Sequence, residues 1–193
     1  MQKSILLGST AVATLCATLS LMAQETEEAS APSAEALARM APGPMHEKLE
    51  PLVGNFTMNG KWRMAPDAPW QEFAAAIERR WIMDERFVEE RVTGEIMGQA
   101  FEGRGIMGYD NTRAEFTMVW IENVSTGTWF TTGRLVDGKL VFEGQNSDAM
   151  TGEKNRWSKS VLDLGADRHV FQGYGRDASG KEFLNAEMIE TRE

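Results

Sequence analysis

The chain has 193 residues, of which 42% are hydrophobic and 25% charged, and its formal net charge is -9. This apolar content is too high for a disordered protein, and the 18 glycines show no collagen-like period. Because Lys and Arg are not clustered, the sequence predicts no nucleic-acid partner. The length predicts one soluble domain.

Residues 1–23 are predicted to be a secretory signal peptide. Lys3 is their only charged residue, and the uncharged run that follows ends in the small residue Ala23, after which cleavage is expected. One alternative is a retained membrane anchor, although the Ser, Thr and Gly residues of the run weaken it. Another is a lipoprotein acylated at Cys16, although Leu15 is bulky where that processing requires a small residue. Cleavage would make the protein periplasmic or secreted, with no stable membrane anchor and no cysteine.

Residues 24–44 are predicted to be a disordered linker, because they are rich in Glu, Ala, Ser and Pro and contain no aromatic residue. Within this linker, residues 33–40 can form one or two helical turns with Ser33 as the N-cap. The folded domain is therefore expected to cover residues 45–193.

A short helix and then a long series of strands are predicted for this domain. His46, Leu49 and Val53 have helical spacing, so the helix is expected to end at Gly54. Apolar and polar residues then alternate, as in strands with one buried face. The runs cover 56–64, 72–82, 87–96, 100–108, 114–122, 128–136, 139–145, 156–162, 168–176 and 182–191. Because ten strands in a meander leave long edges exposed unless the sheet closes or splits, we expect an all-β, antiparallel up-and-down barrel.

The hairpin registers can be predicted from the turn positions. Each register places apolar residues of neighbouring strands on one shared face, and a charged pair falls within that face. The predicted partners are Arg79 and Glu90, Glu90 and Met107, Val92 and Gly105, Gly94 and Gly103, Gly105 and Met118, Gly103 and Trp120, Leu135 and Leu140, Gly133 and Phe142, and His169 and Met188.

The shared face combines large aromatic residues with glycines in strand interiors. Glycine leaves space beside the backbone, so a barrel of this size can contain a cavity. The candidate ligand-binding residues are Trp62, Arg79, Trp81, Glu90, Gly103, Gly105, Met107, Met118, Trp120 and Trp129. The alternative is that the glycines relieve strain where strands bend and that the charged pair is a satisfied buried ion pair.

Several motifs together resemble one known family. They are His46-x-x-Leu49-x-x-Leu52-Val53-Gly54-x-Phe56, Gly103-x-Gly105-x-x-Gly108-Tyr109-Asp110, Phe116-x-x-x-Trp120 and a closing Arg192. This pattern resembles the bacterial family of domains of unknown function DUF1579, over about residues 45–192. The resemblance implies a calycin-type, lipocalin-like barrel and no particular activity. Two positions depart from the pattern, because Phe56 and Thr191 stand where the resemblance leads us to expect Trp and Tyr.

The sequence offers little for catalysis. It has two histidines and no metal-ligand spacing, so no metal is predicted. No hydrolase or nucleotide-binding motif is present either. His46 is expected to make a cap or lid contact. His169 is expected to lie in the barrel wall, with an axial haem ligand as the minor alternative, so no cofactor is predicted.

The sequence therefore predicts an exported, lipocalin-like protein that binds a small apolar or amphipathic molecule inside its barrel. The first alternative is an envelope interaction or structural protein with a packed barrel and no ligand. The second is an enzyme that uses Arg79 and Glu90 as an acid–base pair. The oligomeric state is not predicted.

Overall fold

The computed structural model describes residues 31–193, so the predicted signal peptide and the first residues of the predicted linker lie outside the described part. Two short helices precede ten strands. The first helix, α1, is Ala34–Met40, and the second, here called the plug helix, is the 3-10 helix Glu47–Leu52. The strands are β1 Gly54–Trp62, β2 Gln71–Ile82, β3 Phe87–Ile96, β4 Gln99–Asp110, β5 Glu115–Glu122, β6 Trp129–Val136, β7 Lys139–Asn146, β8 Arg156–Leu164, β9 Arg168–Arg176 and β10 Glu182–Arg192.

The ten strands form a closed antiparallel barrel. Each strand pairs with the next one in the chain, and β1 pairs with β10, with Phe56 opposite Arg192. Closure leaves the sheet without an exposed edge. The predicted fold class is therefore confirmed.

One end of the barrel is closed by the plug helix. Because the strands alternate in direction, the β2–β3, β4–β5, β6–β7 and β8–β9 connections share this end with the helix that precedes β1. Leu49 and Leu52 of the helix are 0% and 1% exposed, and they pack in a cluster with Val88, Phe116 and Phe142 of the barrel wall. We call this the closed end and the opposite one the open end.

Arg192 fastens the plug helix to the barrel. Its guanidinium donates hydrogen bonds to the carbonyl oxygens of Pro51 (2.8 Å) and Val53 (2.7 Å), and it lies 4.6 Å from the centre of the Phe56 ring. Phe56 thus provides an aromatic face for the arginine where the family resemblance led us to expect Trp. Gly54 is needed beside it, since φ is 133° and a Cβ there would overlap the guanidinium.

The register between β3 and β4 differs from the prediction. Glu90 lies opposite Gly105 and not opposite Met107, and the predicted pairs Val92 with Gly105 and Gly94 with Gly103 are also wrong. The reason is the tight turn Met97-Gly98, in which both residues have positive φ, 54° and 75°. Sequence rules favour Asn, Asp or Gly at the first of these positions, so the turn was expected further along the chain.

The register between β4 and β5 also differs, because a four-residue turn joins these strands. The backbone N–H of Ala114 donates to the carbonyl oxygen of Asp110 at 2.7 Å, and the Asp110 side chain accepts from the N–H groups of Thr112 and Arg113. The predicted pairs Gly105 with Met118 and Gly103 with Trp120 are therefore wrong, because Trp120 lies opposite Gly105 and Met118 opposite Met107.

A bulge changes the register between β9 and β10. The pairing shifts between Leu184 and Ala186, so His169 lies opposite Glu190 and not opposite Met188 as predicted. The other predicted registers are confirmed, including Arg79 with Glu90 and Gly133 with Phe142. Each error is a shift of two residues, which keeps the same side chains on the inner face.

The residues before the barrel are partly helical. The backbone N–H of Ala36 donates to Ser33 Oγ at 3.1 Å, as the predicted cap requires. In the second helix Pro51 lacks an N–H, and Val53 donates to the carbonyl oxygen of Glu50, which gives a 3-10 helix. No helix within residues 31–193 is long and apolar enough to cross a membrane.

Candidate ligand site in the barrel interior

A buried network of charged side chains lies inside the barrel near its closed end. Arg79 is 8% exposed, and its Nη1 and Nη2 atoms donate to the two carboxylate oxygens of Glu190 at 2.7 and 2.9 Å. Its Nε atom donates to Glu90 on the neighbouring strand. The guanidinium is thus held by two carboxylates in a fixed orientation, as expected for a satisfied buried ion pair.

The electrostatics of this network favour its charged form. Burial alone would lower the pKa of Arg79, but Glu90 and Glu190 raise it above its ordinary value. Burial would raise the pKa of Glu190, but hydrogen bonds from His169 and Arg79 lower it to about 2. Arg79 therefore keeps its proton and cannot act as a general acid.

His169 extends the network into a tightly packed region. Its Nδ1 atom lies 3.2 Å from a Glu190 oxygen, and its ring lies 4.7 Å from the Phe56 ring. The side chain is 2% exposed, and Nε2 is buried without a hydrogen-bond partner in the described chain. A haem iron would need open space at Nε2, which this packing does not leave, so the surroundings of His169 do not fit a haem ligand.

The space beside the charged pair is small. A cavity of about 20 Å³ is lined by Arg79, Glu90, Gly105, Met107 and Met118, among others. This volume is enough for about one water molecule. In the described conformation the pair therefore faces a water-sized space.

The interior glycines accommodate neighbouring rings. A Cβ atom at Gly103 would overlap the indole of Trp120, and one at Gly60 would overlap the ring of Phe73. At Gly105 the fit is looser, because the added atom would lie 3.3 Å from Trp120. The space that the glycines leave is thus largely occupied by aromatic side chains, which the sequence prediction did not anticipate.

Burial of the inner face varies along the barrel. Near the closed end Ile77, Val88 and Leu140 are 1 to 2% exposed. The part of the interior nearer the open end, here called the open half, has inward-facing side chains that are partly exposed although the barrel is closed around them. They are Trp62, Phe73, Ile96, Met118, Trp120, Trp129, Ser158, Ala186 and Met188. In the same half Phe101, Thr131 and Asn146 are buried, at 5 to 8% exposure, so only part of the open half is exposed.

One side of the open half carries polar side chains and is here called the polar wall. The polar wall lies on β6 to β8, where Asn146 accepts from the backbone N–H of Phe130 and donates to Ser158 Oγ at 2.9 Å. Arg156 pairs with Asp148 next to it. The hydroxyl of Thr131 is buried there without a partner in the described chain. The polar wall provides hydrogen-bonding groups beside an aromatic surface.

The ten predicted site residues lie in three different parts of the barrel. The open half contains Trp62, Gly103, Met118, Trp120 and Trp129, with Met118 also bordering the small cavity. The charged network and that cavity contain Arg79, Glu90, Gly105 and Met107. Trp81 lies at the closed end, where its indole N–H donates to Glu50 at 2.6 Å. The predicted residues share one inner face without forming one pocket.

A shallow pocket of about 350 Å³ lies outside the barrel at the closed end. Trp81 and His46 contribute to its wall together with Glu47, Glu50 and Glu85. His46 is 5% exposed, its Nδ1 accepts from the backbone N–H of Gly43 at 3.1 Å, and burial lowers its pKa. It is the N-cap residue of the plug helix, but its side chain makes no capping bond to that helix and instead accepts from the preceding loop. No group of three potential metal ligands occurs within residues 31–193.

Sequence reasoning missed Glu190 and the polar wall. Glu190 shares the inward-facing positions of β10 with Met188 and Arg192, so a charged residue within an apolar stripe was the available signal. The same signal identified Arg79 and Glu90. Asn146 and Ser158 gave no comparable signal, because short polar residues are common near strand ends.

The chain is similar to known barrels. One solved structure, Rv2717c from M. tuberculosis, is 13% identical with a TM-score of 0.58, and the match covers 79% of this chain and 99% of that one. Another, the S-type phycobiliprotein lyase CPES from Guillardia theta, is 11% identical with a TM-score of 0.56, and the match covers 84% of this chain and 98% of that one. At these identities the likeness shows a common lipocalin-like fold. No protein with a curated description matches. The family "Protein of unknown function (DUF1579)" matches residues 41–192, so the chain belongs to the DUF1579 family, as its motifs predicted.

Proposed function

We propose that this protein is an exported carrier that binds one small, partly apolar molecule in the open half of its barrel. The observation that carries the proposal is the partial exposure of inward-facing aromatic and Met side chains inside a closed barrel. A protein that used its barrel only as a scaffold would gain stability by burying these side chains completely. Their exposure is consistent with a surface kept for a ligand.

The chemistry of the open half favours an amphipathic ligand. Trp120 and Trp129 offer flat apolar surfaces, and Met118 and Met188 have flexible side chains that adapt to irregular shapes. Ser158 lies across from them, with a hydroxyl that can donate while it accepts from Asn146. An apolar body with one neutral polar group fits this arrangement.

The charged network is proposed to serve as a rigid floor beneath the ligand. Arg79 has both carboxylates as partners, so its charge is not free to bind an anionic ligand. The space beside the network is water-sized. We therefore assign ligand contacts to the open half and a structural role to Arg79 and Glu190.

Fluorescence titration tests this proposal with a matched pair of variants. Ala75 and Ala76 are neighbours on β2, but Ala75 faces the interior and packs against Ile77 and Val92, whereas Ala76 is exposed outside. Ala75→Phe would fill part of the open half, and Ala76→Phe would add the same ring to the surface. Retinol and oleyl alcohol are suitable probes, because both are small and largely apolar and carry one neutral hydroxyl group.

We expect the native protein and Ala76→Phe to show saturable changes in Trp fluorescence with either probe. Ala75→Phe should weaken binding by about tenfold or more, because the ligand must compete with the added ring. If neither probe binds the native protein, or if both variants bind equally well, ligand binding in the open half is wrong. The packed-barrel alternative would then explain the fold better.

The export part of the proposal rests on the sequence of residues 1–23 alone. Amino-terminal sequencing of the protein from a fractionated bacterial host tests it directly. The mature chain should begin at Gln24 in the periplasm or medium. A chain that retains Met1 and stays in the cytoplasm would contradict export without affecting ligand binding.

A further inference from the structure

Exposed apolar side chains surround the opening of the barrel. In an up-and-down barrel the β1–β2, β3–β4, β5–β6, β7–β8 and β9–β10 connections all lie at the open end. Four of these five carry an exposed apolar side chain: Met64 (44%), Met97 (77%), Val124 (55%) and Met150 (68%). These four residues, here called the apolar rim, come from four separate loops and encircle one opening.

The closed end is different in composition and charge. Among its four strand connections only the β2–β3 turn carries such a residue, Met83, which is 69% exposed. The five open-end connections contain three basic and four acidic residues, a net charge of -1. The four closed-end connections and the plug helix contain three basic and six acidic residues, a net charge of -3. The open-end connections are thus less negatively charged than the closed-end ones, and exposed apolar side chains occur in four of them. At the closed end the exposed Leu37 and Met40 belong to α1, whose carbonyl groups accept from Arg86 and Asn111.

Met97 is not explained by folding. It is the most exposed of the rim residues and makes no contribution to either core cluster. Its φ of 54° is a left-handed conformation that disfavours a long side chain and that Gly, Asn or Asp adopt more readily. A methionine at this position lowers the quality of the turn and adds only an apolar surface. Met83 at the closed end shares this conformation, but no other large apolar residue is exposed in the strand connections of that end.

Trp70 gives the rim an interfacial character. It lies in the β1–β2 connection beside Met64, and both Arg63 and Lys61 stack on its ring, at 4.4 and 5.1 Å. Arg63 also holds this loop in place by donating to the carbonyl oxygen of Leu184 at 3.0 Å. Trp flanked by basic residues next to apolar side chains is typical of protein segments at a lipid–water boundary.

From these observations we infer that the apolar rim docks the open end on a zwitterionic lipid surface. Four separate protruding side chains can each insert between lipid headgroups, whereas a flat protein partner would leave gaps between them. The chain's formal net charge of -9 makes an anionic surface unfavourable, so docking depends on apolar insertion. This inference rests on the proposed function in one respect: an amphipathic ligand could then pass between the membrane and the open half without crossing water.

An environment-sensitive dye at single positions of the mature chain tests the orientation of docking. NBD is attached to M97C or M150C at the open end, and to M83C at the closed end as the matched control, in a chain that begins at Gln24 and has no other cysteine. Met83 is a good control because it is also an exposed methionine with a positive φ, 53°. Phosphatidylcholine vesicles are then added.

We expect a blue shift and brighter emission of the dye at positions 97 and 150, and no change at position 83. The double variant Met97→Glu/Met150→Glu should reduce the fraction of protein that sediments with vesicles by about tenfold relative to Met83→Glu, with little dependence on salt. Because these side chains are exposed, the variants should keep the native circular dichroism spectrum.

Three outcomes would overturn docking: no spectral change at position 97, an equal change at position 83, or equal sedimentation of the two Glu variants. Docking and ligand binding can fail separately. If both proposals hold, Ala75→Phe should bind the fluorescence-titration probe more weakly and keep the NBD response to vesicles. A dye response in native protein that binds no probe would support docking and reject ligand binding.

Discussion

Protonation of Glu190 is predicted to destabilise the barrel in acid. The network lowers the pKa of Glu190 from 4.5 to about 2. As the pH falls, the unfolded chain takes up this proton before the folded chain does, so the contribution of Glu190 to stability is complete above about pH 4.5 and is lost toward pH 2. The shift corresponds to about 3 kcal/mol, of which about 2 kcal/mol is lost by about pH 3.

Denaturant unfolding at about pH 6 and about pH 3 measures this contribution. The native protein is compared with Glu190→Gln, which lacks the titrating group, and with Glu143→Gln, which removes an exposed carboxylate of β7. At the higher pH, Glu190→Gln should be less stable by about 3 to 5 kcal/mol, because the buried charge of Arg79 loses a partner.

The decisive quantity is how the difference in free energy of unfolding between the native protein and Glu190→Gln changes with pH. Between the two pH values the gap between native protein and Glu190→Gln should narrow by about 2 kcal/mol, whereas Glu143→Gln should follow the native protein. A gap that is the same at both pH values would refute the reasoning, because the depressed pKa of Glu190 would then contribute nothing to folding.

Two further substitutions test the packing. Gly103→Ala should destabilise the barrel by about 1 to 3 kcal/mol and change Trp fluorescence, because the new methyl group displaces Trp120. Gly43→Ala, with open space around it, should change the free energy of unfolding little. Equal effects of the two substitutions would argue against the position of the Trp120 ring beside Gly103. Arg192→Lys should weaken protection of the plug helix in hydrogen exchange, because an ammonium cannot reproduce the guanidinium bonds to two carbonyl oxygens or its stacking on Phe56. Native-like protection in that variant would contradict the fastening role.

The fold was predictable because alternation with period two is a strong signal for a half-buried strand. It correctly indicates ten strands and assigns Ile77, Arg79 and Val88 to the inner face. It cannot detect a register shift of two residues, since such a shift leaves every side chain on the same face. The β3–β4 error has this cause, and the turn at Met97 departs from the usual residue preferences.

The charged network was only half predictable. Arg79 and Glu90 lie on adjacent strands joined by a turn whose register follows from sequence, so their pairing was found. Glu190 is distant in sequence and reaches Arg79 only because the barrel closes β10 onto β1. The bulge after Leu184 sets the register of β9, which places His169 opposite Glu190. Closure and bulges depend on tertiary packing, which local patterns do not encode.

The sequence places the glycines on the inner face, but it does not predict the rings that pack against them. Glycines on the inner face do leave room, but Trp120 and Phe73 turn toward Gly103 and Gly60 and occupy it. Which way a ring turns is decided by its neighbours on several strands at once. The space beside these two glycines is therefore filled by aromatic rings.

A crystal structure with a brominated long-chain alcohol tests the central claim most directly, because the anomalous signal of bromine locates the ligand without reference to its shape. We predict one bromine position per barrel, in the open half among Trp120, Trp129 and Met188, and its loss in Ala75→Phe. A barrel without bromine at saturating ligand, or bromine only on the outer surface, would contradict ligand binding in the interior.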